Sequence, residues 1–579
     1  MQVSWFSPHE SNRRVGSIIN VSATEALINL TKAGSSEQNW IMGTKLPIGE
    51  VNEFVFIDCG QTTILAKVIK VWLENGERLT VDQLSDITPS NNPIALIQLL
   101  VSVDVENGSN HKGIQQYPKL GAQVYAAHPK LVSLLAEGII DGTTLNLPIA
   151  EMPHDSSVTI GVTPEKLFAR HCAILGSTGG GKSYTIANLI ENVHRAGGKV
   201  LLLDATGEYS KLPCDSYYVG DHNNATPKNQ VTYPHWMFTD SDIRALLRPS
   251  AQSQAPKLQA AIKSLKIMTQ NLLTPFNGIS PNPKGVFPKA GQGKAGFESA
   301  LIQIAPNEHN MNWVFNNLGD QIIEECVWPN GGNATNPNIL IWGNRAEQDV
   351  GNCLNLISRV QAMSHNPHLK WMIDCDNTLK TIPDLLSEFI TTKDNGILRL
   401  DLSAIPFEAN SRELLVNAIG RKLLEFARTD KITHDQPLLV FIDEAHQFLN
   451  KKIGDDQQGV FKLDAFGDIA KEGRKYGLNV VIATQRPRDI PEDVLSQIGT
   501  LIVHRLTNDK DQEIVKKAVG SIDHRSASFL PVLGQGEALL LGVDFPFPMT
   551  VKIKKPTNEP YSNSANFSKS WGSQKKENI

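Results

Sequence analysis

The segment Gly176–Ser183, with the sequence GSTGGGKS, constrains this chain more than any other feature. It fits the phosphate-binding pattern G-x-x-x-x-G-K-[ST] in full, and it stands after an apolar strand and before a helical pattern. Glycines let successive backbone N–H groups converge on phosphate oxygens, and the helix start adds its dipole. We therefore expect this P-loop to bind a nucleotide, with Lys182 on the β- and γ-phosphates and Ser183 on Mg²⁺. A purely structural glycine turn is the alternative, and it would not require Lys-Ser at this spacing.

A second segment, LLVFIDEA at 438–445, supplies two adjacent acids after an apolar run. A buried strand would present Asp443 and Glu444 at its carboxyl end, where open α/β sheets bind their ligands. We expect Asp443 to contact Mg²⁺ and Glu444 to polarise the attacking water, as in other P-loop enzymes. Taken alone, the acid pair could simply cap the helix that follows the strand. Beside a P-loop, the two segments predict the two halves of one Mg-nucleotide site.

Two more groups of polar residues follow predicted strands. Gln485 ends the LNVVIAT strand and is our candidate for a side chain that senses the γ-phosphate. A polar residue that merely closes a strand before a Pro turn explains it equally well. Asp204 and Glu208, in DATGEY, follow the KVLLLDAT strand; they either position water or form a turn, and the residues alone leave both readings open.

Two arginines are candidates for stabilising charge on the transferred phosphoryl group. Arg474 lies in KEGRKYG on the helix before the LNVVIAT strand, and Arg170 precedes the P-loop strand. Phosphoryl transfer often uses an arginine supplied by a neighbouring subunit. Judged by their local sequence alone, both residues are more typical of solvated surface charges.

Composition limits the class of protein. The formal net charge of −5 argues against a generally basic protein that coats nucleic acid. Any DNA contact therefore needs a local basic patch or a pore lined by a few Lys and Arg residues. The six cysteines include no CxxC pair, which argues against a zinc site and a disulfide framework. The N-terminus lacks the apolar core of a signal peptide, and no apolar run approaches the ~20 residues of a membrane helix. We expect a cytoplasmic protein with no membrane contact.

The pattern of apolar and polar residues along the chain predicts an α/β protein with several parts. Short β-rich segments in residues 1–150 predict a small barrel or sandwich. Strand and helix patterns in 151–240 and 386–554 predict the two parts of a parallel-sheet nucleotide-binding domain. Residues 241–385 have mainly helical patterns and interrupt that domain as an insertion. Residues 555–579 are polar and predict an extended or disordered C-terminal arm.

These motifs resemble the HerA branch of the HerA–FtsK translocases. The similarity is carried by the order of GSTGGGKS, LLLDATGEY, LLVFIDEAHQF, IAKEGRKYGLNVVIATQRP and LGQGEALLLG. The combination of DATGEY, EGRKYG and ATQRP is far more specific than a P-loop alone. The resemblance implies a RecA-like P-loop ATPase core with an N-terminal small β-barrel and a helical insertion.

The resemblance further implies a homohexameric ring that hydrolyses ATP with Mg²⁺ at subunit interfaces and moves double-stranded DNA through its channel. In such rings the N-terminal barrel docks a nuclease, a sirtuin-like protein or another effector, in DNA-end processing or in anti-phage defence. We lean to defence because the chain diverges around its insertions. The stretch 451–464 is long for the family, which leaves the register of Arg474 to be tested.

Residue roles carry over by motif. Glu444 becomes the catalytic base, Gln485 the sensor, and Arg474 the arginine supplied in trans; Ser183 and Asp443 become the Mg²⁺ ligands. LGQGEALLLG and the tail resemble a C-terminal segment that braces an adjacent subunit. The expected nucleotide-binding residues are Arg170, Gly176, Ser177, Thr178, Gly179, Gly180, Gly181, Lys182, Ser183 and Tyr184.

Three alternatives compete with a translocase. An ATP-stabilised ring scaffold could display and activate an effector with little translocation. The letters Asp443-Glu-Ala-His446 suggest a DEAH helicase, but 261 residues separate Lys182 from Asp443 and no Q-x-x-G-R-x-G-R motif occurs. An ABC-type ATPase would need an LSGGQ-like signature, which the sequence lacks.

Overall fold

The computed structural model describes residues 8–31, 40–41, 44–45, 49–73, 93–105, 109–138, 144–272, 285–333, 335–407, 410–449, 451–453, 461–519 and 525–561. The chain forms two compact units. The first contains Met1–Gly198 and Asn479–Ile579, and the second contains Lys199–Leu478. In the described parts of the chain, no helix combines the length and the apolar character that crossing a bilayer requires.

The first unit begins with a closed antiparallel β-barrel. Its six strands are Arg14–Val21, Glu25–Leu30, Phe54–Asp58, Thr62–Trp72, Ile94–Asp104 and Gln123–Ala126. Closure occurs because the strand Glu25–Leu30 pairs on one side with Arg14–Val21 and on the other with Ile94–Asp104. Inward-facing apolar residues such as Ile28, Ile57 and Ile97 are fully buried and fill the interior. The short strand Asn110–Lys112 extends the pairing of Ile94–Asp104, and Trp40–Ile41 pairs with Thr44–Lys45.

The barrel packs on the C-terminal part of the same unit. The rings of Phe54 and Phe547 meet edge to face with centroids 5.8 Å apart. The buried ammonium of Lys67 lies 4.8 Å from the ring centroid of Phe529. These contacts attach the barrel to the segment that carries the last strands of the sheet.

The remaining first unit is built on a mixed sheet. Its strands run in the order Asp155–Val162, Leu147–Met152, Met549–Ile553, Glu537–Gly542, Thr500–Val503, Cys172–Leu175 and Leu478–Thr484. The P-loop strand, Cys172–Leu175, pairs in parallel with both of its neighbours, whereas the four strands on the far side are antiparallel. The α-helices of this unit are Pro129–Glu137, Pro164–Phe168, Lys182–Arg195, Glu492–Leu495 and Asp509–Val519. The strand Leu147–Met152 belongs to this sheet, so the predicted boundary at residue 150 falls inside a strand.

The second unit has a parallel sheet. Its strands run in the order Leu438–Ile442, Lys199–Asp204, Ile397–Asp401, Asp215–Val219, Gln230–Thr232 and Lys380–Thr381. Every residue of Lys199–Asp204 and Ile397–Asp401 is buried, as expected for parallel strands covered on both faces. The helices Ile382–Thr391, Ser411–Arg428 and Ala465–Glu472 accompany this sheet.

The predicted insertion is largely helical in its described residues. Its helices are Asp240–Leu247, Gln254–Thr269, Lys294–Ile304, Leu318–Glu325 and Glu347–Ser364. Thr239 starts the first of them with a capping box, because its hydroxyl and the Asp242 carboxylate satisfy each other's backbone N–H groups. A core of Ile267, Phe287, Phe297 and Ile304 gives the insertion its own packing. Residues 273–284 of the insertion and 562–579 of the predicted C-terminal arm lie outside the described residues.

The fold expected from the sequence is confirmed. The α/β core, the small N-terminal barrel and the helical insertion are all present. Of the two forms that the N-terminal β-pattern allowed, the barrel is correct and the sandwich is wrong, because the first and last paired strands meet. The structure has strands at four of the predicted segments, which are 171–176, 199–206, 437–445 and 478–484. The observed bounds are Cys172–Leu175, Lys199–Asp204, Leu438–Ile442 and Leu478–Thr484.

Candidate nucleotide site

The P-loop turn joins the strand Cys172–Leu175 to the helix Lys182–Arg195, which we call the P-loop helix. Gly179 and Gly181 adopt φ values of +75° and +117°, a region that side chains with a Cβ rarely enter. The turn is anchored because the N–H and the hydroxyl of Ser177 both donate to the Arg505 carbonyl, at 3.0 and 2.9 Å. Local sequence and neighbouring strand therefore both determine the shape of the turn.

The turn presents donors that suit phosphate. Among the described residues, no group accepts a hydrogen bond from the N–H of Thr178, Gly179 or Gly181. The turn leads directly into the start of the P-loop helix, where the helix dipole favours an anion. Free N–H groups at a helix N-terminus form an anion-binding concavity, so the residues present fit a triphosphate.

Gln485 lies beside this turn. The strand Leu478–Thr484 pairs in parallel with the P-loop strand, with Thr484 opposite Leu175. Gln485 therefore leaves its strand at the edge where the P-loop begins, and its side-chain oxygen accepts a hydrogen bond of 2.6 Å from the Thr178 hydroxyl. The structure brings this predicted sensor together with the P-loop, although its role is untested.

The acid pair lies at the carboxyl ends of the strands in the sheet of the second unit. Asp443 and Glu444 follow the strand Leu438–Ile442 and are both buried, with 4% and 7% of their surface exposed. The Thr206 hydroxyl donates to Asp443 Oδ2 at 3.3 Å, and the Glu444 N–H donates to Asp443 Oδ1 at 2.9 Å. Glu444 has a φ of +48°, a strained conformation for a residue with a side chain. Nδ1 of His446 lies 3.3 Å from Glu444 Oε2, so His446 lies next to the acid pair.

Asp204 is a structural residue. It is fully buried and accepts N–H bonds from Thr206, Gly207 and Tyr209, which closes the turn that follows its strand. The buried Arg399 guanidinium lies between its carboxylate and that of Asp401, at 2.7 and 2.6 Å. Burial alone would lower the pKa of Arg399, but the two carboxylates outweigh it and raise the pKa. Of the two readings left open for Asp204, the geometry favours the turn.

Arg474 lies in a 3-10 turn, Gly473–Tyr476, that follows the helix Ala465–Glu472. The prediction that it lies on that helix is therefore slightly wrong, although the residue is exposed as a trans arginine must be. The unusual length of 451–464 is explained in part by a hairpin of Lys451–Ile453 and Phe461–Leu463. Residues 454–460 lie outside the described residues.

Arg170 does not join the P-loop of its own chain. It precedes the P-loop strand, so the length of a four-residue strand, about 13 Å, separates it from the glycine turn. Its carbonyl accepts the Gly499 N–H and its Nε lies 3.5 Å from Asp544. Within one chain, Arg170 and the glycine turn therefore lie at opposite ends of the P-loop strand, and the expected contact of Arg170 with nucleotide stays a prediction.

The C-terminal segment has intramolecular contacts that the resemblance did not imply. In LGQGEALLLG, the Gly536 N–H donates to the Gly180 carbonyl at 3.3 Å, and Glu537–Gly542 is a strand of the chain's own sheet. The Glu191 carboxylate on the P-loop helix accepts the N–H groups of Thr557 and Asn558. The hydroxyl of Tyr184 donates to Glu559 at 2.9 Å. The described residues up to 561 therefore brace the P-loop helix of the same chain.

Sequence reasoning missed four residues that contact the predicted site residues. These are Thr185 and His504 near the P-loop, and Thr206 and Arg399 near the acids. His504 was detectable, because it directly follows the apolar run TLIV at 500–503, just as Gln485 follows LNVVIAT. Arg399 could not be found in this way, since its partner Asp204 is 195 residues distant in sequence.

A P-loop between a parallel strand and a helix, with polar residues ending the neighbouring strands, defines a RecA-like P-loop nucleotide-binding protein. Family models match two regions of the chain. Residues 147–280 match "Helicase HerA, central domain", and residues 427–564 match "Helicase HerA-like C-terminal".

Two relatives illustrate the similarity over most of the chain. The DNA double-strand break repair helicase HerA of Sulfolobus acidocaldarius is 26% identical over 419 residues, which cover 71% of this chain and 70% of the relative. The protein of the same name from Pyrococcus furiosus is 25% identical over 460 residues, covering 75% and 73%. The chain therefore carries regions similar to both the central and the C-terminal domain of HerA helicases, and it resembles these helicases over most of its length.

Solved structures are more distant. The conjugative coupling protein TrwB has a TM-score of 0.43 and 13% identity, covering 76% of this chain and 94% of that one. VirB4 of Thermoanaerobacter pseudethanolicus has a TM-score of 0.42 and 16% identity, covering 73% and 100%.

The buried Arg399 cluster allows a test of the acidic half of the site. Replacing Arg399 with Met leaves the carboxylates of Asp204 and Asp401 buried without their cation, which should cost about 3–5 kcal/mol of stability. Denaturant unfolding, followed by circular dichroism, measures the loss. As a control, Arg428→Met removes an exposed ion pair with Glu472 and should leave the unfolding curve unchanged. Equal curves for the two variants would contradict a buried, charged cluster.

Proposed function

We propose that this chain hydrolyses ATP with Mg²⁺ and uses the energy to move double-stranded DNA through a homohexameric ring. The observation that carries the proposal is the P-loop turn with free N–H donors, in a chain whose two matched regions are both HerA-like. The relatives named above are DNA double-strand break repair helicases, which supports DNA as the substrate.

The proposed chemistry assigns one task to each residue. The P-loop amides and Lys182 bind the phosphates, while Ser183 and Asp443 hold Mg²⁺, which neutralises charge on the phosphate oxygens when bound. Glu444 accepts a proton from the attacking water, and its contact with His446 positions the carboxylate. Gln485, bonded to Thr178, senses the γ-phosphate. Arg474 enters the site of a neighbouring subunit and stabilises the transition-state charge.

The N-terminal barrel is the proposed docking site for a nuclease, a sirtuin-like protein or another effector. The names of the relatives favour a role in DNA-end processing. The preference for anti-phage defence rests on sequence divergence alone and stays a prediction.

Two substitutions separate binding from turnover. Lys182→Ala removes the charge that binds the phosphates, so nucleotide binding should be lost. Glu444→Gln removes the base but keeps the shape, so ATP should bind while kcat falls about 100-fold or more. Equilibrium binding of a fluorescent ATP analogue and release of phosphate measure the two steps. Lys510→Ala, which changes an exposed lysine, serves as the control. Normal turnover in Glu444→Gln would refute the assignment of the base.

A mixing experiment tests whether Arg474 acts across an interface. Arg474→Ala and Glu444→Gln should each be inactive alone. In an equal mixture, about a quarter of the interfaces combine an intact Glu444 with an intact neighbouring Arg474, so some turnover should return. Lys182→Ala mixed with Glu444→Gln is the control, because both residues serve one chain's pocket and no turnover should return. No rescue in the first mixture at any ratio contradicts the trans role.

DNA dependence separates the motor from the scaffold. If the ring moves along DNA, linear duplex should increase the rate of ATP hydrolysis, and the protein should displace streptavidin from a biotinylated duplex end. A scaffold that merely uses ATP to stay assembled would hydrolyse ATP at the same rate with and without DNA. Lys182→Ala should be inactive in both assays, which controls for contaminating enzymes.

A further inference from the structure

A buried histidine lies directly beneath the P-loop. His504 ends the strand Thr500–Val503, which pairs in parallel with the P-loop strand on the side opposite Leu478–Thr484. Its side chain is fully buried, and its backbone N–H donates to the Leu175 carbonyl at 2.7 Å. The ring therefore occupies the edge of the sheet from which the glycine turn departs.

The ring contacts the underside of the turn. A Cβ added at Gly176 would lie 2.6 Å from the His504 Cβ, and one at Gly181 would lie 3.2 Å from Cε1. A Cβ at Gly180 would lie 3.3 Å from the His504 Cβ. Three glycines of the P-loop thus pack against this one side chain, and a larger residue at Gly176 would displace the turn.

Both ring nitrogens have partners, and these define the proton position. Nδ1 lies 2.8 Å from the Glu537 carbonyl, which can only accept, so Nδ1 carries the proton. In the neutral ring Nε2 is then an acceptor, and the Thr185 hydroxyl, 2.8 Å away, donates to it in preference to the Gly181 carbonyl, which lies 3.2 Å from the same hydroxyl. Burial, assisted by the charge of Lys182, lowers the pKa of His504 to about 4, so the ring stays neutral at physiological pH.

The ring consequently links three parts of the first unit. Thr185 lies in the first turn of the P-loop helix, Glu537 begins the strand Glu537–Gly542, and the glycine turn lies above the ring. The preceding turn reinforces this link, because Gly536 donates to Gly180 and the Glu537 carboxylate accepts the Gly534 N–H. All of these groups belong to one compact unit.

We propose that His504 is a positioning residue of the nucleotide site, whose neutral ring holds the P-loop turn and the start of the P-loop helix in the phosphate-binding geometry. It acts through Thr185 and the glycines rather than by touching the phosphates. The inference rests on the proposed binding of ATP at this turn.

Matched asparagine variants test the proposal. His504→Asn keeps a donor near the Nδ1 position but loses the acceptor for Thr185, so the KM for ATP should rise about tenfold or more while kcat changes less. His171→Asn is the control: His171 is equally buried, at the other end of the P-loop strand, where its Nδ1 accepts the Val480 N–H. It should lose a similar amount of thermal stability without a change in KM.

Thr185→Val tests the route of action. It removes the hydroxyl that donates to Nε2 and should raise KM as His504→Asn does. The double variant should then be little worse than either single one, because both remove the same contact. Additive effects on KM would show that His504 does not act through Thr185 and would overturn this part of the proposal.

A readout without nucleotide separates this inference from the proposed function. Hydrogen exchange of the peptide that covers 176–188 should be faster in nucleotide-free His504→Asn than in wild type, and unchanged in His171→Asn. If wild type fails to bind ATP but the exchange result holds, the proposed function fails while the support of the turn stands. If wild type binds ATP and His504→Asn changes neither exchange nor KM, the proposal is overturned. Faster exchange with an unchanged KM also overturns it.

Discussion

Recognition of phosphate by peptide N–H groups depends on a turn whose glycines leave its donors uncovered. In this chain the turn depends both on its own glycines and on the side chain packed beneath it. Gly179 and Gly181 provide positive φ values, while His504 fills the space beneath Gly176, Gly180 and Gly181. The neighbouring strand adds the Arg505 carbonyl, which accepts two hydrogen bonds from Ser177. The geometry of the turn is therefore determined by residues of the neighbouring strand as well as by the P-loop motif itself.

The acids of the second unit also depend on contacts with neighbouring strands. Asp204, Asp401 and Asp443 stand at or just beyond the carboxyl ends of neighbouring parallel strands. Burying several carboxylates side by side is unfavourable unless cations or N–H donors satisfy them. Arg399 and the backbone of the Asp204 turn meet that need for two of the acids, and Thr206 contacts Asp443.

Resemblance to a family predicted the parts correctly, and the structure adds contacts within the chain that the resemblance did not imply. The segment LGQGEALLLG is predicted to brace an adjacent subunit, and within the chain Gly536 and the strand Glu537–Gly542 also support the P-loop. Arg170 stands at the end of the P-loop strand opposite the glycine turn, and its expected contact with nucleotide stays a prediction. Motifs identify residues reliably, whereas the partners of those residues depend on strand order and direction.

The sequence alone determined the elements and the chemistry that they carry. Apolar runs of four to seven residues predict buried strands, and glycines with Lys-Ser at fixed spacing predict a phosphate-binding turn. Acids at the end of a strand predict the edge of the sheet at which a ligand binds. These signals are local, so one chain without relatives suffices to find them. Only the tertiary structure decided that the barrel closes, that Gln485 and His504 flank the P-loop, and that Arg399 joins Asp204 to Asp401. Each of these contacts joins residues separated in the sequence, and their meeting depends on sheet order, which local patterns do not encode.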